Sequence, residues 1–284
     1  MAISTPMLSL LHISDLHFGP PYVPRVGEAL LQMAERLAAD VIVASGDFTQ
    51  RARREQFIEA RAYLDRLPQV PLVVVPGNHD VPLYRVSERL RTPHALYREY
   101  ISNELDHVLE LDEATLVALD STAPRTAISN GRIRRWQLDF CREVFRETPA
   151  GNARIVVAHH HFAPAPDYES GDEVMPRARR ALDLFAKLKV DLILGGHLHR
   201  AYIGNSLDVY PGEDREHGII IVQCGTSTSR RGRGREREKN SFNLIRLDAE
   251  QVEVVHYMYF DDAGGFAPIS RHHFPRAHRQ FFRE

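Results

Sequence analysis

Six short apolar runs set the frame of this chain: Leu8–Ile13, Val41–Ala44, Leu72–Val75, Leu116–Leu119, Ile155–Ala158 and Leu192–Leu194. Each is rich in Val, Ile and Leu and stops at Gly, Pro or polar residues. Strands covered on both faces read this way, because neither face is free to alternate with polar side chains. Helical stripes lie between them. Val26, Leu30, Met33 and Leu37 recur at i, i+4, i+7 and i+11, on one face of a helix. Phe57, Leu64 and Leu67 do the same, as do Trp136, Phe140 and Val144, and a fourth helix is expected from near Pro176, presenting Leu182, Phe185 and Leu188. Strand–helix alternation predicts an α/β fold with a largely parallel sheet covered by helices.

The pattern changes after about Gly218. Ile219–Val222, Phe242–Leu247 and Val252–Tyr259 follow one another without helices, which predicts an antiparallel C-terminal extension, with residues 218–284 forming these strands and a tail. Residues 82–112 are polar and helical in character and are expected to form an insertion near the site. At 284 residues the chain is within reach of one α/β domain, so a single domain over 1–284 is expected. A net charge of −2 supplies no global field to recruit nucleic acid or an anionic membrane. Cys141 and Cys224 sit in apolar patterns and read as core residues of a reducing compartment. Met1–Leu11 has no basic leader, and no apolar run reaches membrane-spanning length. A cytoplasmic protein is expected.

Function is concentrated where the runs end. Asp15 and His17 follow the first, Asp47 the second, Asn78 and His79 the third, His159 a later one, and His197 and His199 the next. Open α/β sheets bind ligands outside the carboxyl ends of their strands. A D-x-H triplet or a lone histidine is common by chance, but five donor-bearing turns on one edge are not. Gly46, Gly77, Gly195 and Gly196 add the backbone freedom that tight, side-chain-aiming loops need. Carboxylate, amide and imidazole donors in this mixture suit two divalent cations, with Mn, Fe, Zn or Co all acceptable.

The arrangement resembles the calcineurin-like metallophosphoesterases, whose signature runs D-x-H, G-D, G-N-H-D/E, a lone H and G-H-x-H. All five are present in order between Asp15 and His199, over about two thirds of the chain. The resemblance implies a metallophosphatase-type α/β/α sandwich. It implies one metal held by Asp15, His17, Asp47 and His199, and a second by Asp47, Asn78, His159 and His197, with Asp47 bridging. His159 matches the family position because it comes first after its strand; His160 is the alternative. His79 is expected to protonate the leaving group, oriented by a hydrogen bond from Asp80, for which a cap or turn role is the rival reading. Two cations about 3.5–4 Å apart would make a bridging hydroxide available for in-line attack on phosphorus.

Outer motifs narrow the substrate. Gly77 to Pro82, Pro93, Tyr97, Leu119 to Thr122, and Gly131-Arg132-Ile133 with Gln137-Leu138 resemble the branch holding class III cyclic-nucleotide phosphodiesterases and glycerophosphodiesterases. A small phosphodiester or nucleotide substrate is expected, seated between Asn78, His160 and Arg230. The alternatives are a phosphomonoesterase, nucleotide pyrophosphatase or nuclease of the same fold, or a non-catalytic scaffold. Gln50-Arg51 and Phe162-Ala163-Pro164 depart from the usual pattern and border the pocket. Asp120 and Ser121 are expected to be structural.

Ser229 to Lys239 carries six basic residues against two acidic ones. It reads as a solvated loop whose Arg230 or Arg231 meets a substrate phosphate; the lack of interleaved aromatics argues against nucleic acid. His12 is expected to be packed and hydrogen-bonded, while His217, His278 and the others lack ligand spacing. Arg271 to Arg276 reads as a polar tail with a possible role in a homo-oligomer contact.

Overall fold

Along nearly every strand, alternate side chains enter two different cores, and that alternation defines the architecture. The structure, a computed structural model, describes residues 7–126, 130–164, 173–210, 218–237 and 239–276. His217, Glu238, His278 and the rest of the tail after Arg276 lie outside these residues. In chain order the elements are β1 (Leu8–Ile13), α1 (Pro24–Leu37), β2 (Val41–Ala44), α2 (Arg54–Leu64), β3 (Leu72–Val74), α3 (Val86–Arg91), α4 (Ala95–Tyr100), β4 (His107–Glu110) and β5 (Ala114–Leu119). Then come α5 (Arg135–Glu147), β6 (Ala153–Ala158), α6 (Ala178–Lys187), β7 (Leu192–Gly195), β8 (Tyr202–Asn205), α7 (Ser206–Val209), β9 (Ile220–Gln223), β10 (Ser241–Leu247), β11 (Gln251–Phe260) and β12 (Gly265–Pro275).

The strands form two six-stranded sheets, β12-β11-β10-β1-β2-β3 and β4-β5-β6-β7-β9-β8. Leu8, Leu10, Val41 and Val43 of the first share a core with Leu116, Ala118, Ile155, Val157, Leu192 and Leu194 of the second. The opposite faces, Leu11, Ile13, Ile42 and Ala44, pack under α1 and α2, and Val117, Leu119, Val156 and Ile193 pack under α5 and α6. The fold is the expected α/β sandwich with its central layer doubled. Period-2 alternation sends both sets of apolar side chains to a core, which is why the strands show no polar face in the sequence.

β1, β2 and β3 pair in parallel, as do β5, β6, β7 and β9. The antiparallel extension is β10, β11 and β12, paired through β10 with β1. β9, expected in that extension, instead lies parallel to β7 in the second sheet. Residues 82–112 carry α3 and α4 but also the edge strand β4, which pairs antiparallel with β5. Trp136 does not lie on the buried stripe of α5: it is 53% exposed, and the stripe runs Leu138, Cys141, Phe145. Both cysteines are free and buried. Among the described residues no helix is long and apolar enough to cross a membrane.

Arg271 to Arg276 is not a tail. Residues through Pro275 complete β12, and Arg276 is buried, its Nε 3.2 Å from Asp191 Oδ1 and its guanidinium donating to the Asp248 and Gly151 carbonyls. Removing one partner of a buried ion pair leaves an uncompensated charge. Arg276→Ala is therefore expected to lower unfolding stability by about 3 kcal/mol, read as a shifted urea midpoint; an unchanged midpoint would show that the end of β12 does not hold the fold.

Candidate metal centre

Each donor-bearing turn leaves the carboxyl end of its strand. Asp15 and His17 follow β1, Asp47 follows β2, and Asn78 opens a single 3-10 turn after β3. His159 follows β6, and His197 and His199 follow β7. The turns are conformationally demanding. Asp15, His17, Asp47, His197 and His199 all have left-handed backbone, with φ of 54°, 52°, 55°, 74° and 54°. Such conformations cost about 1–3 kcal/mol each and persist only where surroundings over-determine them. Here a shell of hydroxyls does so. Thr226 and Thr228 donate to the Asp15 and Leu16 carbonyls, and Ser14 N–H donates to Ser227 Oγ. Gly77 and Gly196 leave room for the carboxylates: a Cβ would stand 2.1 Å from Asp47 Oδ1 at the first and 2.5 Å from Asp15 Oδ2 at the second.

The donor atoms form two groups. In the first, His199 Nε2 is 3.1 Å from Asp15 Oδ1, and His17 Nε2 is 3.6 Å from Asp15 Oδ1 and 3.7 Å from Asp47 Oδ2. The His17 and His199 Nε2 atoms face each other at 3.0 Å. In the second, His159 Nε2 is 3.4 Å from Asp47 Oδ2 and 3.2 Å from Asn78 Oδ1, while His197 Nδ1 is 2.9 Å from Asn78 Oδ1. Asp47 Oδ2 adjoins both groups. His159 Nδ1 lies 2.8 Å from the Ser45 carbonyl, so in the neutral ring Nε2 turns its lone pair inward, the orientation a ligand needs. His160 also lies within reach of His159 and His197 as a donor, with its Nδ1 2.8 Å from Ser121 Oγ.

These residues fit a pair of cations. Asp15 Oδ1 and Asp47 Oδ2 are buried and accept no hydrogen bond, an arrangement that is costly for a bare carboxylate. Protonation runs the same way. Burial opposes ionisation of Asp15 and Asp47, yet the histidines around them, led by His199 for Asp15 and His159 for Asp47, hold both well below the usual carboxylate range. Burial takes His17 down to about 3 and His197 well below its ordinary value. Ionised carboxylates and neutral imidazoles are the ligand forms. His159 departs from this: burial pushes it down, but Asp47, joined by Asp15 and the Ser45 carbonyl, raises it to about 9.

His79 stands beside the first group, its ring edge-on to His17 at 4.9 Å. Its Nδ1 lies 2.8 Å from the Gln50 carbonyl, and its backbone N–H donates to Asp47 Oδ1 at 2.7 Å. Burial lowers its pKa, Asp47 opposing and Arg231 adding. Asp80 does not bond the His79 ring as expected. The 3-10 turn directs its carboxylate backward, where it accepts from Gly77 N–H, Phe48 N–H, Thr49 N–H and Thr49 Oγ1, stitching the loops after β2 and β3 together. Burial and then Asp47 push its pKa up to about 7.

Arg230 is exposed and lines a separate hollow with Arg25, Lys239 and Asp261. The guanidinium at the centre belongs to Arg231, its Nη1 2.9 Å from His79 Nε2 and 3.1 Å from Gln50 Oε1. Sequence reasoning also missed the work of Thr226 to Thr228; a hydroxyl run directly after an apolar strand was the available signal. Asp120 accepts from Thr122 and pairs with Arg134 at 3.3 Å, and His12 is buried with Nε2 3.0 Å from Ser45 Oγ; both are packed as expected.

Paired sheets with two donor groups at their carboxyl edge give the metallophosphoesterase fold with candidate ligands for a dinuclear divalent metal centre. Residues 8–201 match the calcineurin-like phosphoesterase family, and the chain belongs to it. No curated protein gives a significant match. Similar solved structures share the fold alone. Purple acid phosphatase PPD1 from yellow lupin (Lupinus luteus) has a TM-score of 0.72 at 13% identity, over 96% of this chain and 54% of its own, so the chain spans about half its length. PhoD gives 0.65 at 13% identity, over 93% and 72%. GAP50, the anchor in the inner membrane complex of Plasmodium, gives 0.58 at 15%, over 95% and 89%.

Proposed function

We propose that the chain hydrolyses small phosphodiesters. Asp47 carries the reading, because its Oδ2 adjoins both donor groups, 3.7 Å from His17 Nε2 and 3.4 Å from His159 Nε2. Asp15, His17, Asp47 and His199 would hold one cation, and Asp47, Asn78, His159 and His197 the other. Two such cations, when bound, lower the pKa of water and neutralise phosphoryl oxygens. The protein's own groups supply the rest. Because the Gln50 carbonyl can only accept, His79 Nδ1 carries hydrogen and Nε2 is the atom that exchanges a proton with a leaving group. Arg231 is placed to meet a phosphoryl oxygen beside it.

Diester preference is supported by where the outer motifs lie. Ser121 bonds His160, and Gly131 packs so closely on that ring that a Cβ would stand 2.3 Å from His160 Cγ. The residues that carry the diesterase resemblance thus wall the second donor group. Loaded with Mn²⁺, the protein is expected to cleave bis(para-nitrophenyl) phosphate with a kcat/KM about tenfold or more above that for para-nitrophenyl phosphate. A wide preference for the monoester would sink the diesterase reading. Absence of bound metal, with no turnover after reconstitution, would sink the enzyme.

A further inference from the structure

The hollow lined by Arg230 has a volume of about 390 Å³ and shares no lining residue with the metal centre. Arg25, Arg230, Arg237 and Lys239 surround it against one acid, Asp261. That carboxylate is already taken, its Oδ1 2.6 Å from Arg25 Nη2. Among the described residues Arg230, Arg237 and Lys239 pair with no carboxylate, and the first turn of α1, which supplies Arg25, holds no acidic residue. Four cations less one carboxylate leave three positive charges in excess, on a chain whose net charge is −2. The cations stand on a fixed frame. Glu236, folded inside the basic segment, is 5% exposed. Its carboxylate accepts from Ala201 N–H at 2.9 Å and Ser241 Oγ at 2.7 Å, and lies 3.2 Å from His256 Nε2. Its carbonyl takes the Lys239 N–H at 2.8 Å. Asn240, buried where it lines the hollow, donates to the Ser229 carbonyl at 2.8 Å, and the Arg230 N–H donates to the Pro21 carbonyl at 2.9 Å.

Like charges held around one hollow repel, and an anion between them turns that repulsion into attraction. Because the backbone that carries them is already pinned, little ordering is left to oppose binding. We infer that the hollow is a binding site for a small, multiply charged phosphate anion, separate from the metal centre. The guanidinium forks of Arg230 and Arg237 match phosphoryl oxygens, and Lys239 adds a point charge. The apolar lining decides the size of the ligand. Val26 and Tyr259 are 2% and 6% exposed, so there is no open ring face on which a base could stack and no apolar rim to enter a bilayer. A small soluble anion is what remains. Binding here breaks no bond and stands apart from the phosphoesterase reading.

The test uses tungstate, a heavy tetrahedral dianion that stands in for phosphate, on the Mn²⁺-loaded full chain. Crystals are soaked and tungsten is located by its anomalous scattering. A peak is expected between Arg230, Arg237 and Lys239, besides any at the donor groups. Calorimetry with tungstate then compares the wild-type protein with R237A/K239A and Asp261→Asn, substitutions that leave the donor groups as they are. In R237A/K239A one binding event is expected to weaken about tenfold, while any event at the metal centre keeps its affinity. Asp261→Asn is expected to strengthen the same event about threefold, because it removes the competing carboxylate and frees Arg25. The wild-type affinity of that event should fall as salt rises. Tungsten found only at the donor groups, or affinities in R237A/K239A equal to those of the wild type, would overturn the inference.

Discussion

Asp47→Ala is expected to empty both cation positions at once and to abolish turnover with them. The carboxylate adjoins both donor groups through Oδ2, and its Oδ1 takes the His79 backbone N–H. Substitution removes one ligand from each group: the second loses its carboxylate, and the first keeps Asp15 as the anion beside His17 and His199. Metal content after Mn²⁺ loading and dialysis should fall from two equivalents toward none, and kcat/KM for the aryl diester by roughly 10⁴-fold or more. Mn²⁺ at about a hundred times its Kd stabilises a protein that binds it only when folded by about 2.7 kcal/mol per site, so the rise in Tm on adding Mn²⁺ should vanish as well. Asp47→Asn, which keeps an oxygen donor without the charge, should fall between. Loss of turnover with two equivalents of metal retained would remove Asp47 from the bridging position.

How much of this was legible depended on whether a signal was local. The buried strands β1, β2, β3, β5, β6 and β7 were, because each is a continuous apolar run closed by turn residues. Their division into two sheets was not. Alternate residues Leu10 and Leu11 serve different cores, and both are leucine, so the sequence carries no mark of which face meets the other sheet. β9 reads like the strands after it, and only its pairing with β7 and β8 assigns it. β12 was hidden because it lies at a sheet edge with one neighbour, β11, and its row of Ser270, Arg271, His272 and His273 is largely solvent-facing. Trp136 misled because a large apolar residue at helical spacing counts toward a stripe even when its own position points outward.

At the site, ligand types and order were legible because the chemistry fixes them. The left-handed backbone at five of the donors was not, since Asp and His occur far more often in ordinary conformations. Nor was the choice between Arg230 and Arg231, which turns on the conformation of one loop. Asp80 shows the same limit: an acidic residue next to a histidine suggests a pair, whereas the 3-10 turn aims it at Gly77, Phe48 and Thr49 instead.

His79→Ala separates proton transfer from metal binding. The structure places the side chain outside both donor groups, while the backbone N–H that holds Asp47 Oδ1 at 2.7 Å survives the substitution. Both equivalents of metal are therefore expected to remain. What is lost is the imidazole whose Nδ1 is anchored on the Gln50 carbonyl, and with it the Nε2 through which the proposed mechanism passes a proton to a poor leaving group. General acid catalysis contributes about 10²–10⁴-fold, and the variant should lose roughly 10³-fold with alkyl leaving groups. A nitrophenolate departs without protonation, so aryl diesters with good leaving groups should lose far less. Plotted against leaving-group pKa, log kcat/KM should be shallow for the wild-type protein and steep for the variant. Parallel lines would mean that His79 positions phosphate rather than donating a proton. Loss of metal in His79→Ala would place the ring among the ligands, and the acid would then have to be sought elsewhere around Arg231 and His160.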